Sequence, residues 1–285
     1  MSAEPVTDVA AARRFVQLHG RLLDRRRLAH LLEGAPAAAV AAAVAAYANP
    51  DGGYAGLVEP DVRTLSSQPI AVLTAFDVLG EVGAPAPVEA LAWLAAVSDD
   101  DGGIPFHLPA ADGAPQAPWM RPDPASSLHM TAAVAAAALR LGATGAWVEA
   151  ASAYCRRAID AADRLSAHET MYALHLLDAV GDAPGVQALG RRLPRDGRLA
   201  VEGGTEDEAL QLLDLAPRPG TAARRLFDPE VVDEELDRLA AGQRRDGGWD
   251  FTWRAWAPAV AFEWRARLTV DALAALARHG RLPAA

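Results

Sequence analysis

Apolar residues recur along this chain in helical runs, each brought to a stop by glycine or proline. The run 144–163 has a one-sided form. Trp147, Ala150, Ala151, Tyr154, Cys155 and Ala158 share one face, while Glu149, Arg156, Arg157 and Asp160 lie elsewhere, as on a surface helix with a single buried stripe. Met130 to Leu139 carries no charge around its whole circumference, which marks a helix enclosed by others. The same reading predicts a helix over 9–32, followed by five pairs: 36–48 with 66–80, 86–97 with 125–141, 144–163 with 166–180, 183–193 with 205–215, and 229–243 with 265–279. Alternating half-buried and enclosed helices build two concentric layers with the apolar helices inside. The stretch 36–47, which is also almost uncharged, departs from that alternation.

The punctuation is itself repetitive. Asp-Gly-Gly begins at Asp51, Asp101 and Asp246 and is followed each time by an apolar residue, Tyr54, Ile104 or Trp249. The first two copies stand 50 residues apart, and a weaker copy, Asp196-Gly197, precedes the last by the same distance. Fixed spacing of this length means stacked supersecondary units, so a single domain over 1–285 is expected. Each copy ends a helical run, where glycine takes up the left-handed backbone that stops a helix.

Composition narrows the chemistry. There are 37 acidic residues against 27 basic ones, a formal charge of −10, which opposes a nucleic-acid partner unless positive charge is clustered. All the basic residues are arginine. Without lysine there is no Schiff-base catalysis, no pyridoxal phosphate attachment and no P-loop lysine. A single cysteine, Cys155, leaves no disulfide and no thiolate-rich zinc site and fits a reducing cytoplasm. Residues 1–14 lack a signal-peptide apolar core, and the longest apolar stretch, 35–47, is shorter than the roughly 20 residues that span a bilayer. A cytoplasmic chain with no stable membrane insertion is expected.

The run Leu236 to Trp249, with Gln243 and Asp246-Gly247-Gly248-Trp249 at its end, resembles the glutamine-tryptophan repeat of squalene cyclases and other class II terpene cyclases. The segments from Asp51 through Pro60-Asp61 into 66–80, and from Asp101 into 125–141, resemble repeats of protein prenyltransferase β subunits. Together these cover roughly half the chain. The resemblance implies an all-α fold, an α/α toroid of about five to six helical hairpins, whose cavity takes a polyisoprenoid chain. It also implies that Gln243 and Trp249 clasp helices rather than catalyse. Class II cyclases carry an Asp-x-Asp-Asp acid at the start of an inner helix, where this chain reads Ser127-Leu128-His129-Met130-Thr131-Ala132. Prenyltransferases bind zinc through an aspartate and a cysteine two residues later, and Ala153 stands at that spacing before Cys155. No metal and no cofactor is expected; the run Asp99-Asp100-Asp101 reads as a loop cap.

Each Asp-Gly-Gly loop joins the first helix of its pair to the second, so the segments that follow, 54–68, 104–129 and 249–267, should emerge at one end. These segments hold five of the seven tryptophans. Trp119, Trp253, Trp256 and Trp264, with Tyr54, can shield a carbocation or line an apolar pocket. Glu59 and Asp61 flank a proline on a stiff turn and are the candidate acids, with Asp123, His107 and His129 as further catalytic candidates. Arg63, Arg121 and Arg267, with Gln68 and Glu263, suit a polar or oxyanionic head group. The plainer alternatives are an Asp61–Arg63 ion pair that orders a loop, tryptophans that roof the barrel, and a His129 satisfied within the core. Three functions compete: an isoprenoid-transforming enzyme, a non-catalytic toroid that binds a ligand or a protein, and a carbohydrate-active barrel using Glu59 or Asp61 with Asp123 or Glu263.

Overall fold

The computed structural model describes residues 7–110 and 112–282. These fall into two compact units, one within 37–183 and the other made of 7–36 together with 184–282. Both are helical, and the described residues contain one two-stranded antiparallel pair as their only regular sheet.

The unit Ala37–Ala183 holds α3 (Ala37–Ala45), α4 (Pro69–Glu81), α5 (Val88–Val97), α6 (Leu128–Arg140), α7 (Ala146–Ala161) and α8 (Ala167–Ala179). Helix α6 buries ten of its residues, from Leu128 to Ala138, because alanine, valine and threonine let neighbours approach on every side. It packs against α4, α7 and α8. By contrast α3, α5 and α7 bury a single stripe; in α7 that stripe is Trp147, Val148, Ala151 and Cys155. The two helix classes read from the charge pattern are thus present. Starts are chemically marked: Pro69 occupies the first turn of α4, the Ser127 hydroxyl accepts from the Met130 amide at 3.2 Å, and Ser166 with Glu169 forms a capping box on α8.

The other unit holds α1 (Val9–His19), α2 (Leu22–Glu33), α9 (Ala183–Gly190), α10 (Leu212–Leu215), α11 (Pro229–Ala241) and α12 (Pro258–Arg278). Three expectations need correction here. The run 9–32 is two helices, because Gly20 turns extended and Asp24 Oδ2 accepts from the Arg21 amide at 3.0 Å where α2 starts. The segment 205–215 is helical only over Leu212–Leu215; before it Leu199–Ala200 pairs with Ala209–Leu210 as a hairpin. Finally α12 begins at Pro258, not 265, so Glu263, Trp264 and Arg267 stand on a helix rather than in a loop.

First and last helices meet within this unit. Helix α12 packs on α1 and α2, Arg27 pairs with Asp271, and Gln243 accepts from the Asp8 amide at 2.8 Å while donating to the Asp8 carbonyl at 2.9 Å. Trp249 Nε1 donates to the Leu239 carbonyl at 2.7 Å, so Gln243 and Trp249 do clasp helices.

The Asp-Gly-Gly loops share one construction. In each, the aspartate Oδ1 accepts from the amide two residues on, at 2.9 Å for Asp51, 2.8 Å for Asp101 and 3.1 Å for Asp246. The middle glycine has φ near +90°, and a Cβ there would come within 2.5 Å of the Glu89 carbonyl oxygen for Gly52, 2.7 Å of Ala150 for Gly102 and 2.3 Å of Ala11 for Gly247. Four residues beyond each of those carbonyls stands an aromatic ring, Trp93, Tyr154 or Phe15, which touches the final glycine. Every loop is therefore a socket for a one-sided helix, α5 for Asp51, α7 for Asp101 and α1 for Asp246, which gives the repeated tripeptide a packing reason.

No helix among the described residues is long and apolar enough to cross a membrane.

Candidate functional site

In the unit Ala37–Ala183 the loops that follow the first two Asp-Gly-Gly sockets cross-link to one another. Val62 bridges to Gln116, the Ala117 amide donates to the Asp61 carbonyl at 2.8 Å, and the Arg63 amide donates to the Pro115 carbonyl at 3.1 Å. Gln68 is fully buried and exchanges two hydrogen bonds with the Leu108 backbone, at 3.0 and 3.1 Å. The side chains expected to do chemistry are drawn into this mat. Glu59 is buried, its Oε2 accepting from the Thr74 hydroxyl of α4 at 3.0 Å. Asp61 is buried too and accepts from Trp119 Nε1 at 3.2 Å, while Trp119 keeps 46% of its surface exposed. Arg121 donates to the Pro118 carbonyl at 3.0 Å, and Asp123 accepts from the Ala125 amide at 2.9 Å; both are exposed loop formers. Tyr54 is core, its hydroxyl pKa raised by burial and by Glu89.

His107 differs from these. It is completely buried, and its Nε2 lies 2.9 Å from Gln116 Oε1, while Gln116 Nε2 donates to the Met120 carbonyl. That orientation assigns the proton to Nε2 and leaves Nδ1 a bare acceptor with no hydrogen-bond partner. Burial lowers its pKa, against the opposing pull of Gln116, so the ring is neutral.

A second group gathers where α6 and α8 begin. The His129 ring stacks on His168 at 5.1 Å and 10°, and on Tyr172 at 5.0 Å and 23°; Phe106 meets it tilted at 5.2 Å, and His175 stands edge-on to Tyr172 at 5.7 Å. Burial, and next to it the charge that His168 would carry, push the His129 pKa down to about 3. At neutral pH it is an uncharged aromatic face. His168, Tyr172 and His175 escaped the sequence reading, although their spacing of four and three along α8 is that of one helix face. His129 alone drew attention because it heads an uncharged run.

In the other unit the aromatic candidates form their own cluster at the start of α12. Trp253 lies 4.7 Å from Phe251 and meets Trp264 edge-on at 5.1 Å; the Arg267 guanidinium sits 5.2 Å over the Trp264 ring. Trp256 has a buried Nε1 without a hydrogen-bond partner, and Glu263 is half-buried nearby in sequence. Arg265 is committed to Asp246, at 2.8 and 2.9 Å, and to the Phe15 face at 4.6 Å.

Among the described residues no three histidine, cysteine or carboxylate side chains are grouped to hold a metal ion. Asp99 and Asp101 both accept from the Ser126 hydroxyl, at 3.1 and 2.7 Å, and serve the loop. Cys155 is buried, its thiol pKa pushed up to about 12 by burial, which makes it inert.

No protein-family model matches the sequence. No curated protein matches it either. Among solved structures it is similar to the type II terpene cyclase MstE from Scytonema, determined in complex with its substrate geranylgeranyl dihydroxybenzoate, with a TM-score of 0.54 and 14% identity over 94% of this chain and 96% of that one. At that identity the likeness speaks for architecture. The chain therefore has the all-α, terpene cyclase-like α/α-toroid fold.

Proposed function

We propose that this protein binds an isoprenoid or similar apolar small molecule on the ring face formed by His129, His168, Tyr172 and Phe106. The observation that carries the reading is the stacked ring cluster, with an uncharged His129 at its centre, at the amino ends of two enclosed helices. Aromatic faces attract apolar chains and stabilise cationic carbon. The geranylgeranyl-bearing substrate named for the similar cyclase supports the same class of ligand. Soaking crystals with prenyl alcohols and diphosphates of increasing length tests it. Density against His129 and Tyr172 is the expected result, and density only on the outer surface of α3, α5 and α7 overturns it.

The reading extends to acid-initiated carbocation chemistry through Glu59. That carboxyl is carried by its loop to Thr74 on α4, out of contact with bulk water, as a proton donor to an alkene must be. Asp61 is instead turned to Trp119. Glu59→Gln keeps an acceptor for Thr74 and removes the acid. Turnover lost with the melting temperature nearly unchanged supports catalysis, whereas turnover retained in both Glu59→Gln and Asp61→Asn overturns the acid assignment. A binder that turns over nothing corresponds to the non-catalytic reading. The proposed setting is the cytoplasm, with no nucleic-acid partner; a protein partner for the exposed loops remains the second kind of ligand to test.

A further inference from the structure

Charge is divided unevenly along this chain. Residues 37–183 hold six arginines, no lysine and seventeen aspartates and glutamates, while the rest holds twenty-one arginines and twenty acidic residues. The unit that carries the ring face therefore has a formal charge of −11 and the rest of the chain +1. Its six arginines are already engaged. Arg140 pairs with Asp77 at 3.4 Å, and Arg156 pairs with Asp182. Arg157 donates to the Asp101 carbonyl at 2.7 Å, and Arg121 to that of Pro118 at 3.0 Å. Arg63 and Arg164 have interactions of their own. The ring face itself offers the uncharged His129 ring, the imidazole edges of His168 and His175, the Tyr172 hydroxyl and stacked π-surfaces, and no guanidinium among its rings.

A diphosphate is multiply anionic, and its recognition needs cations that are free to turn toward it. Placed here it would lose water, meet no uncommitted arginine and face a strongly acidic unit. A hydroxyl or phenol loses far less on desolvation and finds both donors and acceptors among imidazoles and a tyrosine hydroxyl. We infer that the ligand of this ring face is a prenyl chain ending in an uncharged hydroxyl or phenol, and not a prenyl diphosphate. The inference rests on the isoprenoid reading above and names the head group that reading leaves open.

Calorimetric titration of the full chain with farnesol and with farnesyl diphosphate tests it, since the two share one hydrocarbon chain and differ only in the head. Farnesol should bind about tenfold tighter or more, with an affinity indifferent to salt. His168→Arg, which adds a cation to the face, should narrow that preference about tenfold at low salt. Tyr172→Phe, a milder change, should weaken farnesol several-fold without improving the diphosphate, and thermal unfolding shows that each variant folds. Equal or tighter binding of the diphosphate overturns the head-group assignment while leaving the isoprenoid reading intact. Binding of neither compound overturns both.

Discussion

Gly102 holds φ +90°, and a methyl group on it would lie 2.7 Å from the Ala150 carbonyl oxygen of α7. Gly113 also has positive φ, +60°, but nothing stands within 4 Å of where its Cβ would be. Gly113→Ala should cost about 1–2 kcal/mol, the backbone penalty alone. Gly102→Ala should cost about 3 kcal/mol or more, because the next helix must also move. Urea unfolding of the two variants measures the difference; equal costs would mean that the socket does not set the spacing of the repeats. His129 makes a second prediction at this scale. Unfolded, it takes up a proton near its ordinary pKa of 6.5, and folded only near 3, so between those values the unfolded chain binds the extra proton. Stability should fall as pH drops through that window and be indifferent to this residue above it. In His129→Phe the decline between pH 6.5 and 3 should be shallower, read from denaturation midpoints at stepped pH. An unchanged slope would mean that the ring is not held neutral by its burial and by His168.

Helices here are tied by a few identifiable contacts. Gln243 joins the end of α11 to the start of α1 through two hydrogen bonds to Asp8, and a third, to the Gly247 carbonyl at 3.0 Å, fixes its own loop. Gln243→Ala should destabilise the protein by about 1–2 kcal/mol, less than three full bonds because water replaces them at this exposed position. Protection of the amides of α1 from hydrogen exchange should fall with it, and undiminished protection would count against the clasp. Helix α8 shows how far an element can be read in advance. Its length and its capping box are written in Ser166 and Glu169, and the shared face of His168, Tyr172 and His175 follows from helical spacing. That this face meets His129 does not follow, since α6 and α8 are separated by a whole helix in sequence and only their packing brings the rings together.

At the scale of the chain, each half of a cut near residue 143 would lack its own core. Helix α6 would be severed from α7 and α8, two of its three packing partners, and α1 and α2 from α12. Neither piece is expected to show a cooperative unfolding transition. A folded, monomeric half seen by circular dichroism and thermal melting would refute this and make the chain separable.

Local interactions determine most of the helical elements of this chain. The apolar period gives the helices, uncharged circumference marks those enclosed, and the Asp-Gly-Gly copies mark where one hairpin passes to the next, since these depend on neighbours within a few turns. Local signals failed where a long-range contact overrode them. Gly20 breaks a continuous apolar pattern into two helices that both pack on α12, and 199–210 pairs as a hairpin although its surroundings are helical. The functional residues divide in the same way. Glu59, Asp61 and His107 could be listed as titratable groups on irregular segments, yet Thr74, Trp119 and Gln116, which decide what those groups can do, come from segments 9 to 58 residues away. The residue types, the repeat and the absence of lysine belong to the sequence alone. Which carboxylates are buried, which arginines are spent and which rings stack were decided by the fold, because hydrogen bonding and desolvation depend on neighbours in space.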